Sequence, residues 1–217
     1  MSDFPFGLMA SAFALGFFIA MPVGPISLLI LRRTVTGGLA VGAATGFGAA
    51  IADSIYAALA AFGLSAVTAV LVDQAHWLGI IGGLVLVWLG IGGLRAAGRR
   101  GDDLPTAAGG GAMVKVGSVV PAFASAVGLT LTNPLTVISF AGAFAGIGLA
   151  AAAGPVAATA TVVGLGLGSL TWQLAIVAAA GGARHWLRPA VLVWIDRLSG
   201  IVLVVFGASA LWHGLGI

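Results

Sequence analysis

Three places in this 217-residue chain carry chemistry that an apolar sequence has to accommodate. Asp53 lies midway along FGAAIADSIYAALAAFG, residues 47–63, with no basic residue in the same run. A charged Asp at the centre of a bilayer costs roughly 2.5–3.5 kcal/mol on insertion scales, so the side chain must face a bundle interior. A carboxyl held there suits a group that gains and loses a proton. The structural alternative is a carboxyl hydrogen-bonded to Ser54, Tyr56 or interrupted backbone.

The other two places are GPISLLIL, residues 24–31, and NPLTVISF, residues 133–140. Proline inside a helix removes a hydrogen bond and clashes with the preceding turn, at roughly 3 kcal/mol or more. At a first helical position that missing N–H costs nothing, and Asn133 ahead of Pro134 is a good N-cap. Gly24 ahead of Pro25 offers the same arrangement. Each site therefore predicts a break that starts a new half-helix, with free N–H groups and a positive dipole end attracting an anion such as an amino acid's carboxylate. Ser27, Thr132 and Thr136 add hydroxyls beside these starts. Pro25 aligns with Pro134 and Ser27 with Thr136, both at an offset of 109.

The elements that position these groups follow from composition. Hydrophobic residues make up 60% and charged residues 7%, against ~25% charged in a soluble domain. This is an all-α integral membrane composition, with about 20 apolar residues per span. Apolar runs predict six spans near 6–31, 38–63, 77–94, 117–150, 155–181 and 198–215. A first half, 1–94, and a second half, 117–217, flank a polar loop at 95–116, with a short link at 64–76. Three spans is an odd number, so two such halves are inverted with respect to each other. Inverted repeats with interrupted first helices are a signature of secondary transporters.

All nine Lys and Arg fall on one side of this arrangement. Arg32 and Arg33 follow span one; Arg95, Arg99, Arg100 and Lys115 follow span three; Arg184, Arg188 and Arg197 follow span five. The positive-inside rule makes those loops cytoplasmic and both termini external. Asp102, Asp103 and Asp196 read as solvated loop charges. The N-terminal segment, with Asp3 and no basic n-region, reads as the first span and not as a cleaved signal.

Several function classes lose support. No basic stripe interleaves with aromatics, so no nucleic-acid partner is expected. The chain has no cysteine and three scattered histidines, and no metal-ligand spacing appears. Ser169 and His185 stand about four helical turns apart, too far for a nucleophile and its base. No GxxxxGK[ST] phosphate loop is present, and no cofactor is implied. Five GxxxG pairs are no more than 35 glycines give by chance, so a homo-oligomer stays open. Trp172 and Gln173 sit inside span five and are candidates to line a cavity, with Tyr56 beside Asp53.

The stretch MPVGPISLLILRRTVTGGLAVGAATGFGAAIADSIYAALAAFGL, with LTNPLTVISFAGAFAGIG later, resembles the lysine-exporter (LysE-type) superfamily of bacterial efflux carriers. Its proline-glycine-proline signature corresponds to Pro22, Gly24 and Pro25, its intramembrane Asp to Asp53, and its second-half Asn-Pro to Asn133 and Pro134. The resemblance implies an inner-membrane exporter of amino acids or similar small metabolites, driven by an ion gradient, proton by expectation. Its small-molecule substrate and the lipid bilayer are the implied partners. Metal-cation export and a small-solute channel of the same fold are the alternatives. Many relatives carry Asn or Asp shortly after the signature, where this chain has Ile26 and then Ser27, so its site is less polar. No second acid accompanies Asp53, which ranks neutral or zwitterionic amino acids above cations.

Overall fold

The computed structural model describes residues 5–22, 24–62, 74–102, 118–133, 136, 139–140, 154–183 and 189–215. Among them are seven helices and no strand: α1 Phe6–Ala20, α2 Pro25–Gly37, α3 Leu39–Ala61, α4 Ala75–Asp102, α5 Val119–Leu131, α6 Pro155–Ala183 and α7 Pro189–Leu215. Segments in α3, α6 and α7 are long and apolar enough to cross a membrane, and α1 with α2 forms a fourth candidate bent by 80°. The apolar stretches Gly79–Arg95 of α4 and Val119–Leu131 of α5 are shorter. The expected continuation of the fourth span to residue 150, the 64–76 link beyond its last residues, and Pro134 itself lie outside the described residues.

The helices bury small and polar residues and turn large apolar ones outward. In α6, Thr161, Gly164, Gly168, Ser169 and Gln173 are buried while Val156, Val163 and Leu167 are exposed. In α3, Gly42, Thr45, Ala49 and Asp53 face in, and Phe47, Ile51 and Ile55 face out. Water would favour the reverse. In lipid, helix association gains from close backbone packing and polar contacts, because acyl chains are as apolar as leucine.

Helix α2 occupies the centre. Its Ile26, Leu29 and Ile30 pack with Ala49 of α3, Leu86 and Leu89 of α4, Leu129 of α5, Val177 of α6 and Leu203 of α7. Around it, α1 packs on α6, α5 on α3, α3 on α6, and α4 on α7. The α4–α7 pair is antiparallel and close: a Cβ at Gly83 would stand 2.8 Å from the Gly207 carbonyl oxygen, and one at Gly90 2.7 Å from that of Gly200. Only glycine allows backbones so near.

Two helices outrun the limits that hydropathy predicts for their spans. Helix α4 continues through Arg95 to Asp102 rather than ending at 94, and α7 begins at Pro189 rather than 198. A 28-residue helix is about 42 Å long at 1.5 Å per residue, well beyond a hydrocarbon core of about 30 Å. Hydropathy measures the span in lipid, whereas the backbone hydrogen bonds continue past it.

Candidate functional site

The chain leaves α1 at Met21 and starts α2 at Pro25, with Gly24 as an extended N-cap at φ −109° and ψ −171°. The first intrahelical bond runs from the Leu28 N–H to the Gly24 carbonyl at 3.2 Å. The amides of Ile26 and Ser27 therefore lie ahead of the hydrogen-bonded ladder, and no side chain caps them.

These residues border a cavity of about 110 Å³ lined from four directions. Ile19, Ala20, Pro22, Gly24, Pro25, Ile26 and Ser27 come from the first break. Ala49 and Asp53 come from α3, Thr130, Asn133, Thr136 and Ser139 from α5 and the segment after it, and Gln173 from α6. Of the residues expected at a site, Pro22, Gly24, Pro25, Ser27, Asp53, Asn133, Thr136 and Gln173 meet there. Thr132, Tyr56 and Trp172 stand outside the lining. Two cavity residues have buried polar atoms without a hydrogen-bond partner, Thr130 Oγ1 and Gln173 Oε1.

Asp53 is 6% exposed, and its Oδ2 accepts a 2.6 Å hydrogen bond from the Ser169 hydroxyl, itself 1% exposed. Neither Ser54 nor Tyr56 takes that role. Ser54 donates back to the Ala50 carbonyl, and the Tyr56 hydroxyl donates at 2.7 Å to the Leu131 carbonyl at the end of α5. The Tyr56 ring stacks on Phe140 at 5.3 Å. On α6, Trp172 meets Phe17 of α1 edge to face at 5.4 Å, and its indole N–H is buried without an acceptor. The Thr132 hydroxyl is taken by the Gly128 carbonyl at 2.8 Å, which explains its absence from the lining.

Seven to eight residues beyond Pro25, about 11 Å along α2, the buried Arg32 and the half-buried Arg33 form a polar network. Arg32 Nε donates to Asp196 Oδ1 of α7 at 2.8 Å. Arg33 donates to Thr45 Oγ1 of α3 at 3.3 Å, and to the Ala122 carbonyl and Ser125 Oγ of α5 at 3.0 and 2.9 Å. Asp196 is only 1% exposed, so the expectation of a solvated loop charge is wrong. Apolar runs mark Arg32 and Arg33 as the end of a span, but α2 carries them inward to polar partners on α3, α5 and α7.

Sequence reasoning weighed Ser169 only against His185 and passed over Thr130 and this network. Ser169 had a usable signal: it stands 116 residues after Asp53, as Gly154 does after Gly38. Among the described residues, no three His, Cys, Asp or Glu side chains gather as a metal would require.

Apolar-faced helices packed around a small cavity that holds a buried carboxyl fit a membrane protein of the transporter class. The chain matches the profile of the LysE type translocator family over residues 17–214 and belongs to that family. A relative from Bacillus subtilis (strain 168), named "Putative amino acid efflux protein YcgF", is 28% identical over 212 residues, covering 96% of this chain and 97% of its own. No solved structure matches.

Proposed function

We propose that this chain is a secondary-active exporter of amino acids or similar small metabolites, working by alternating access in the bacterial inner membrane and coupled to protons through Asp53. The carrying observation is the cavity itself, where a buried carboxyl, two unpartnered polar atoms and the amide-bearing start of α2 converge. A zwitterion suits this pairing of groups: its ammonium to Asp53, its carboxylate to the Ile26 and Ser27 amides. The volume of about 110 Å³ is below the ~300–1,000 Å³ of open ligand pockets and suits a small solute in an occluded form. The name of the Bacillus subtilis relative points to the same substrate class. Asp53 is the one carboxyl on the cavity among the described residues, whereas a divalent cation prefers several oxygen ligands.

Two inverted halves, 1–94 and 117–217 about the loop 95–116, account for regularities in register. Gly38 and Gly154, with φ of 93° and 119°, immediately precede α3 and α6 and stand 116 residues apart. At the same offset, Gly48 fits against Phe123 and Ala126 of α5, and Gly164 against Met9 and Ala12 of α1. Each half's first helix thus packs on the other half's second. Asp53 and Ser169 share that register too, so their hydrogen bond falls where a pseudo-two-fold axis would run. Tyr56 and Trp172 are likewise equivalent. Exchange of the two arrangements would release Tyr56 from α5 and give Trp172 the carbonyls at the end of α1. That exchange is the alternation we assign, with the Arg32 and Arg33 network closing the cytoplasmic end and both termini periplasmic.

The test is substrate-dependent proton flux in proteoliposomes across an amino-acid panel, for wild type and Asp53→Asn. The proposal expects saturable flux for a subset of amino acids, with proton movement lost in the variant. Unchanged coupled flux in Asp53→Asn removes Asp53 from the mechanism, and non-saturable passage of many solutes replaces the carrier by a pore.

A further inference from the structure

We propose that Ser169 is the positioning residue for Asp53, the hydroxyl that holds the carboxylate in place and ties its protonation to the contact between α3 and α6. This rests on the reading of Asp53 as the proton carrier.

The first observation is what the Ser169 hydroxyl does not do. Thr34, Thr45, Ser54, Thr161 and Thr171 all donate to the carbonyl four residues back in their own helix. That local bond is the default for Ser and Thr within a membrane helix. Ser169 instead donates across to Asp53 Oδ2 at 2.6 Å, joining α6 to α3.

The second observation is how firmly its helix is held. Gly164 and Gly168 of α6 sit against backbone carbonyls of Met9 and Phe13 in α1, and Gln173 packs by its Cβ on Gly46 of α3. Ser169 lies between these close approaches. Its Cα has little freedom, so the hydroxyl reaches Asp53 from a fixed point, as a positioning group must.

The third is the set of charges around the pair. Helices α1, α5 and α6 contain no charged residue, and α2 has only Arg32 and Arg33, which lie beyond the cavity and make the contacts described above. Tyr56, one turn along α3, is the titratable neighbour, and its hydroxyl is committed to Leu131. Among the described residues the donor to the carboxyl is therefore Ser169. Protonation of Asp53 weakens this bond, because a neutral carboxyl is a poorer acceptor than a carboxylate, and so loosens a link across the two halves. A proton thereby gains differential affinity for two arrangements of α3 against α6, which coupling demands.

Infrared titration of the carboxyl band in proteoliposomes tests this with protons as the only ligand. The Asp53 band is assigned as the one that Asp53→Asn removes. Ser169→Ala should move its midpoint to higher pH by about one unit, because the carboxylate loses a charge-assisted donor. Ser169→Cys, a weaker donor of similar size, should give a smaller displacement, and Ser169→Thr should restore the wild-type midpoint. A packing role alone leaves the midpoint in place. A shift under about 0.3 unit in Ser169→Ala, with the band still present, overturns the inference and leaves the exporter reading intact. A wild-type protein with no titrating Asp53 band overturns both.

Discussion

Removing the carboxylate of Asp196 should unfold this protein at markedly lower temperature, although a residue at a span end ordinarily tolerates such a change. The Arg32 guanidinium is 5% exposed and always charged, and Asp196 is the acid that neutralises it at 2.8 Å. Asp196→Asn preserves volume and takes this carboxylate away from the buried charge. Breaking a buried pair from one side costs about 3–5 kcal/mol. For a chain of this length each kcal/mol moves Tm by about 2–4 °C, so the fall should be about 6–20 °C. Replacing both partners by apolar residues, Arg32→Met with Asp196→Leu, removes the stranded charge and should return Tm to within a few degrees of wild type or above it, since such exchanges are often neutral or stabilising. Thermal unfolding of the three proteins in nanodiscs makes the comparison. If Asp196→Asn unfolds with wild-type Tm, or if the double variant is as damaged as the single one, the pair is not what holds α2 to α7.

Three further outcomes follow from the geometry. Gln173→Leu removes a buried, unpartnered Oε1 worth about 1–3 kcal/mol of desolvation, so thermal stability should rise while substrate-dependent flux falls; a stability loss would mean that the oxygen has a partner. Tyr56→Phe leaves the Leu131 carbonyl at the end of α5 without its donor, and a chemical-denaturation series should register a loss of about 1–3 kcal/mol; no loss would mean that water or another donor serves that carbonyl. Gly83→Ala sets a methyl 2.8 Å from the Gly207 oxygen and must part α4 from α7, at about 1–3 kcal/mol, which a cysteine cross-linking pair across that interface would also report; unchanged stability and cross-linking would refute the close approach.

Much of the cavity lining was legible in residue types. Proline and glycine act through their own backbone, so the start of α2 at Pro25 follows from two adjacent letters. Asp53 was legible for the same kind of reason, because an acid in an apolar run must find the interior wherever the other helices stand. Span limits were less so. Hydropathy could not separate α1 from α2, or foresee that α4 runs on to Asp102, because helical hydrogen bonding does not end where lipid does.

What the amino-acid order determined by itself is a membrane composition, the break at Gly24–Pro25 and the inward burial of Asp53, each a property of one residue in an apolar surrounding. Only the tertiary structure decided who meets whom. Ser169 lies 116 residues from Asp53, and Asp196 lies 164 from Arg32. Neither pairing can be read locally, since a hydrogen bond depends on which helix faces are brought within 3 Å. The crossings that do this are set by where backbones without side chains can touch, as at Gly164 and Gly168 against α1.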